Sequence, residues 1–540
     1  MVYAFMLYLL LQPASYANTL LPELALPSHI ADGSTVLLQC GRVYTGQLNL
    51  EAKSHVTVKT VGDCGQAIIS LGMTHAGWRR EVGGRPIWST AISFQPHQVE
   101  VGERFMELAH YPPSPEIWMT AVSHHPGHLT IQLPNKDVVG ATVVWRANDW
   151  LILVHPVLAY VSTDLRIASN AYDEFIFPHQ TLFYLEGKCW MLTTPGSWCS
   201  EQGRLYVWAH DGGSPEERTR VAPRGSAINA NNSNAIYIEN IKIRMATIGV
   251  EASNVRHLKI KNTEFENIGE EAIIAGGEDI YLEKLRIIKT GLNGIRFTDD
   301  ARKIVVRDTY IAEAGMLGMP RRSKGAIVLE QAQQSHIVGN TIIDSAYIGI
   351  RTFRDSVVEN NSIVRSCLRL SDCGGIYTYA RDGLPLNTVM SFNKISETQG
   401  KQSYGIYLDD EANHVQVVNN TLELNASGMQ LHNAYDNLIQ GNLFYKNKNQ
   451  QILFNETVTH AVLKNNRISG NNFINTKDVP VYRLWSALGS LTIGDFASYS
   501  GNSYKGNEVG FAECAGSGML NWKTWKNRMR ESGTLIPLAP

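Results

Sequence analysis

From about residue 235 to residue 470 the chain keeps repeating one short unit. A Gly-Ile-type opening recurs at Gly249, Gly294, Gly349, Gly375, Gly405 and Gly428, and an apolar-x-x-Asn-x-apolar turn recurs at Asn340, Asn361, Asn393, Asn420, Asn442 and Asn466. Successive Asn marks stand about 21 to 32 residues apart, too far for a hairpin and suited to one coil of a parallel β-solenoid. Each unit carries a strand that cannot bury its apolar side chains alone, so stacked coils must share one continuous core. A single Asn of this kind is an ordinary turn residue; six in register predict an amide ladder along one corner, because the amide both donates and accepts.

The 540-residue chain carries a formal net charge of −2. That balance gives no basic field for nucleic acid. Val2 to Leu11 form an apolar run followed by Ser15-Tyr16-Ala17, the form of a secretory cleavage site. Residues 1–17 are therefore expected to be a signal peptide, and the protein to be exported, periplasmic or extracellular. No other segment approaches the roughly 18 apolar residues of a membrane span. The seven cysteines suggest local pairs by spacing: Cys40 with Cys64, Cys189 with Cys199, and Cys367 with Cys373, leaving Cys514. No zinc-type cluster occurs, so no metal is expected.

Thr35 to Ser70 read as short strands, the first coils of the solenoid. From Met73 to Pro215 the repeat vanishes, and eight of the eleven tryptophans fall here. β-rich runs separated by Pro and Gly predict an inserted antiparallel barrel or sandwich. Its aromatics are read as its own core, with a sugar platform as the alternative. The expected organisation is a cap and first coils over 18–72, the insert over 73–215, the parallel β-helix over 216–475 and a cap over 476–540. Within that cap, Asn521 to Arg530 suit a short basic amphipathic helix on the last coil.

Aligning coils on the Gly-Ile opening gives two outward columns: Arg296, Val328, Arg351, Tyr377, Tyr407, Gln430, and Thr298, Glu330, Phe353, Tyr379, Asp409, His432. Strand side chains alternate and coils stack about 4.8 Å apart, which makes these one patch of aromatics, carboxylates, Arg and His. Such a surface suits a sugar, whose C–H faces are edged by hydroxyls. Asp372 enters one strand and Asp409-Asp410 end the next. Neighbouring carboxylates push each other's pKa values apart, the requirement for an acid and a base or nucleophile. These aspartates are otherwise turn caps.

Ser371-Asp372-Cys373-Gly374-Gly375-Ile376-Tyr377-Thr378-Tyr379, then Arg381-Asp382, then Gly405-Ile406-Tyr407-Leu408-Asp409-Asp410, resemble the paired signature of right-handed parallel β-helix glycoside hydrolases, the fucosidase/xylosidase-like group with a barrel inserted in the helix. Val101 to Pro112, Pro195 to Cys199 and Gly203 to Trp208 resemble that group's insert runs, with Ser197 and Cys199 departing from the usual Glu and aromatic. The resemblance implies an all-β fold, a right-handed single-stranded parallel β-helix with an inserted β-domain. It also implies catalytic carboxylates at Asp372 and Asp409, with Asp410, Arg381 and Asp382 in support. Tyr377, Tyr379, Tyr407, Arg351, Glu330 and His432 are expected to bind an oligo- or polysaccharide in a monomeric enzyme without cofactor. Two rivals remain: a lyase or uronate C5-epimerase, in which Arg351, Arg354 or Ca2+ neutralises a carboxylate and Tyr377, Tyr407 or His432 moves the proton, and a non-catalytic exopolysaccharide binder.

Overall fold

A computed structural model describes residues 23–537 except 115–116, 126, 169–181, 458–462, 477, 488–495 and 516–517. The expected signal segment lies outside the described residues. Short strands wind into a parallel solenoid with three faces. One coil runs Cys373–Tyr379, Val389–Ser391 and Lys394–Ser396; the next runs Ser403–Asp409, Gln416–Val418 and Thr421–Glu423, each strand pairing in parallel with its counterpart.

The core follows from one inward apolar residue per strand per coil. On the third face, Ile342, Ile363, Ile395, Leu422, Phe444, Phe473 and Tyr504 stand in register and are fully buried. Phe444 stacks on Phe473 at 4.7 Å and Phe473 on Tyr504 at 5.1 Å. Each such side chain stabilises the stack by about 1.5–3 kcal/mol relative to exposure, a gain available only when a neighbouring coil covers it.

The repeated Asn side chains do form a ladder. Nδ2 donates along Asn340, Asn361, Asn393, Asn420 and Asn442 at 2.9–3.0 Å per step, and each Nδ2 also donates to a strand carbonyl, as Asn420 does to Met390. The next rung is Asn471, followed by Asn502 and Glu531. Asn466 belongs to a different corner, where it accepts from Asn437. The glycine column has a steric cause: a Cβ on Gly349 would stand 2.4 Å from the Gly375 carbonyl oxygen of the next coil.

Thr35–Gln39, Leu48–Asn49 and Ser54–Val61 are the first coils, and Leu48–Asn49 and Ser54–Val61 pair directly with Ile228–Asn229 and Asn234–Glu239. The intervening residues are thus an excursion between adjacent coils. They form two largely antiparallel sheets, and their last strand, Thr219–Pro223, pairs with Pro96–Val101 and Met73–Thr74, so the excursion closes at 223 rather than 215. Trp78, Trp145 and Trp198 are buried in its interior. At the other end the coils run past 475: Tyr482–Ser486, Ser503–Gly506 and Thr534–Pro537 continue the parallel pairing. The helix Trp522–Met529, capped by Asn521, closes the stack by laying Trp525 on Tyr482 at 4.7 Å.

Disulfides join Cys40 to Cys64, Cys189 to Cys199 and Cys367 to Cys373, and Cys514 is buried and free. Among the described residues no helix is long and apolar enough to cross a membrane.

Candidate active site

The register of the first column is realised, although Val328, Tyr407 and Gln430 are buried rather than open to solvent. Arg296, Val328, Arg351, Tyr377, Tyr407 and Gln430 are successive register partners, and Tyr379 pairs with Asp409. One member of the second column departs. Phe353 lies beyond the strand Ile348–Arg351, in the turn, and is buried in the solenoid core, because the alternation that predicts direction ends where the strand does.

Asp372 precedes the strand Cys373–Tyr379 with φ 55°, a left-handed conformation that Asp tolerates. Its loop is tied on every side. The Cys367–Cys373 disulfide closes it, Tyr347 Oη donates to the Asp372 carbonyl at 2.8 Å, and the Ser371 amide donates to the Asp149 carbonyl of the insert at 2.9 Å. Trp118 and Trp150 of the insert pack on a cluster with Tyr347, Leu370 and Cys373. The insert therefore reaches the site through its Asp149-Trp150 turn, a contribution that the sequence reading did not find.

Asp409 ends its strand with every oxygen engaged. Oδ2 accepts from Tyr377 Oη at 2.7 Å; Oδ1 accepts from His432 Nδ1 at 2.6 Å and from the Asp410 amide at 2.9 Å. His432 Nε2 meets Thr457 Oγ1 at 2.7 Å, and Arg381 grips Asp410 Oδ2 through Nη2 at 2.8 Å and Nε at 3.2 Å.

These environments separate the two carboxyls. Burial raises Asp372, the nearby Asp409 charge raises it further, and its hydrogen bond with Tyr407 only partly opposes them, leaving it at about 7. Burial also pushes Asp409 upward, but the hydrogen bond and charge of His432, with Tyr377 and the Asp410 amide, outweigh it and hold Asp409 below the ordinary carboxylate value. His432 is raised in turn: burial lowers it, and Asp409, Asp410 and Asp372 overcome that. At neutral pH the arrangement is an ionised Asp409 beside a histidine whose proton affinity is raised, facing a carboxyl that still carries much of its proton.

Several expected sugar ligands hold other posts. Tyr407 is 2 % exposed, walled in by Tyr377 and Tyr404 with ring centroids at 5.3 and 5.1 Å. It therefore offers no platform; its hydroxyl lies 3.5 Å from His432 Nδ1 and also helps to stabilise the charged form of Asp372. Asp382 pairs with Arg354 and Glu330 with Lys324, so neither is a free acceptor. Tyr379 remains partly open between the Arg351 and Arg381 guanidinium groups, which stand 4.9 and 5.6 Å from its ring centre. Asp409, Asp410 and His432 bring three ligand-type atoms within 4.8 Å.

No curated protein matches the sequence. A solved structure titled glycoside hydrolase superimposes with a TM-score of 0.54 at 12% identity, over 85% of this chain and 90% of that one. XylC in complex with xylose gives 0.32 at 11% identity over 92% and 78% of the two chains. The Azotobacter vinelandii mannuronan C-5 epimerase AlgE4 A-module gives 0.33 at 13% identity over 59% and 91%. The right handed beta helix region matches residues 226–422 and 366–523. With more than half of its length so matched and its coils paired in parallel throughout, the chain belongs to the right-handed β-helix family.

Proposed function

We propose that the protein is an exported glycoside hydrolase in which Asp372 protonates the leaving oxygen and Asp409 acts as the base or nucleophile. The observation that carries this is the opposed state of two carboxyls joined through one tyrosine pair: Asp372 near 7 and linked to Tyr407, Asp409 held ionised by His432 and Tyr377. A glycosidase needs one proton-bearing and one charged carboxyl across the scissile bond. Tyr379, Arg351 and Arg381 line the same groove and offer a ring face and donors to sugar hydroxyls. The solved glycoside hydrolase of this fold is a precedent, and the three disulfides suit an oxidising compartment.

Proton abstraction at C5 by a lyase or epimerase fits less well. Burial holds Tyr377 and Tyr407 far above their ordinary value, and His432 is raised and engaged with Asp409, so none is a ready base at neutral pH.

The test is to screen the mature protein against plant, algal and bacterial glycans, reading new reducing ends and ultraviolet-absorbing unsaturated ends separately. Reducing ends alone, lost by several orders of magnitude in Asp372→Asn and in Asp409→Asn, are expected. Unsaturated products, or turnover retained in both variants, would overturn the assignment.

A further inference from the structure

Five acidic side chains along this stretch of groove have a cationic partner. Glu271 pairs with Arg296 at 3.3 Å, Glu330 with Lys324, Asp382 with Arg354, Asp409 with His432 at 2.6 Å and Asp410 with Arg381 at 2.8 Å. Arg351 is the cation left over. It forms no ion pair with any described residue, and its Nε is sealed from solvent without a hydrogen-bond partner. Asp372 is not its counter-ion: no ion pair joins the two, and the charges that act on Asp372 are those of Asp409, His432 and Asp149.

Burying an unpaired guanidinium is costly. The rings of Tyr379 at 4.9 Å and Tyr377 at 5.8 Å offset part of the cost, cation–π contacts being worth about 0.5–2 kcal/mol each. A cation–π staple alone would be served as well by a guanidinium turned away from the groove. Arg351 instead sits in the outward column, one coil before Tyr377, and is partly exposed. Its planar fork matches carboxylate and sulfate oxygens.

A second observation lies beside the Asp372 loop. A cavity of about 470 Å3 is lined by Lys401 and Lys448 and by no acidic residue. It abuts that loop, because a Cβ on Gly400 in its wall would stand 2.9 Å from Ser371 Oγ. Arg351 in the groove and these two lysines beside the loop thus carry positive charge that no ion pair among the described residues neutralises.

We infer that the groove takes an acidic glycan, with a carboxylate or sulfate group of the sugar beside the carboxyl pair seated on Arg351 and a further acidic unit of the chain reaching Lys401 and Lys448. This rests on the groove being a sugar site, as proposed above, but not on hydrolysis.

The experiment is calorimetric binding to Asp372→Asn protein, which requires no turnover. The probes are trigalacturonate with its carboxyl-reduced form, and a κ-carrageenan tetrasaccharide with its desulfated form; the two pairs distinguish carboxylate from sulfate. One acidic probe is expected to bind at least about tenfold tighter than its neutral form, the scale of one charge-assisted contact. That advantage is expected to vanish when Arg351→Gln is added and to survive in part with Arg351→Lys. Lys401→Gln/Lys448→Gln, at exposed positions, should weaken the acidic probe while leaving the neutral form unchanged. Equal binding of acidic and neutral forms, an advantage that survives Arg351→Gln in protein of unchanged melting temperature, or no binding by either acidic probe would overturn the inference. Missing reducing ends with intact acidic selectivity would instead strike the hydrolase assignment alone.

Discussion

His432 Nδ1 lies 2.6 Å from Asp409 Oδ1, and this one contact sets the charge state of the site by lowering the acid and raising the imidazole together. The pH dependence of kcat/KM should follow from it. The proposed mechanism needs Asp372 protonated and Asp409 ionised, so the alkaline limb should fall near pH 7 and the acidic limb below the ordinary carboxylate range. In His432→Gln the cation is gone, Asp409 binds its proton more readily, and the acidic limb should move to higher pH with an about tenfold or greater loss at the optimum. An acidic limb unmoved in that variant would mean that His432 does not govern Asp409.

Asp372 should cost the protein stability. Its folded value near 7 exceeds the unfolded value of about 3.9. Between those values the native state keeps a proton that the unfolded chain has released, so stability falls as pH rises through this window and the full penalty is present above about 7. Asp372→Asn removes the penalty while keeping the oxygen that Tyr407 hydrogen-bonds. The variant should melt higher than the parent at pH 8, with the difference shrinking toward pH 5, as read by scanning calorimetry at both pH values.

The Cys367–Cys373 bridge closes a short loop whose other restraints are Tyr347 and the Asp149 carbonyl. A loop of this length returns only about 2 kcal/mol of chain entropy, so its main effect should be on the aim of Asp372. Cys367→Ser/Cys373→Ser is expected to keep the fold by circular dichroism while kcat drops about tenfold or more and KM changes little, because a displaced acid weakens the transition state rather than the ground state.

Much of this was legible because a solenoid writes its register into its period. Aligning Gly349, Gly375, Gly405 and Gly428 was enough to pair Tyr377 with Tyr407 and to bring Asp409 beside His432. The alignment failed where the strand stops: Phe353 turns inward just after Arg351. It was ambiguous where two turns share one pattern, since Leu463-x-x-Asn466-x-Ile468 and Ile468-x-x-Asn471-x-Phe473 both match and only the second is on the main ladder. Tyr347 stands two residues ahead of a Gly-Ile opening, outside both outward columns. The insert's grip on Ser371 runs through the Asp149 carbonyl, and a backbone contact between residues more than two hundred positions apart leaves no trace in side-chain pattern.

The ladder itself offers the sharpest stability test. Asn420 Oδ1 accepts from both the amide and Nδ2 of Asn393, while its Nδ2 donates to the Met390 carbonyl and to Asn442. All of these groups are buried. Asn420→Ala therefore strands two donors of Asn393 and one carbonyl at once, each costing about 1–3 kcal/mol when left unmet in the interior, whereas the turn conformation is set by the preceding Asn419, which holds φ 57° and is untouched. A loss of several kcal/mol is expected in urea unfolding. Because a solenoid's stability is carried by nearest-neighbour interfaces, hydrogen exchange should quicken most in the coils around Val389–Ser396 and Thr421–Glu423 and little in the insert. The same loss at Asn466→Ala should be read one corner away, around Ala434 and Phe496, whose carbonyls Asn466 Nδ2 serves. If both variants relaxed the same coils equally, the amides would be acting as generic polar filler and not as two separate ladders.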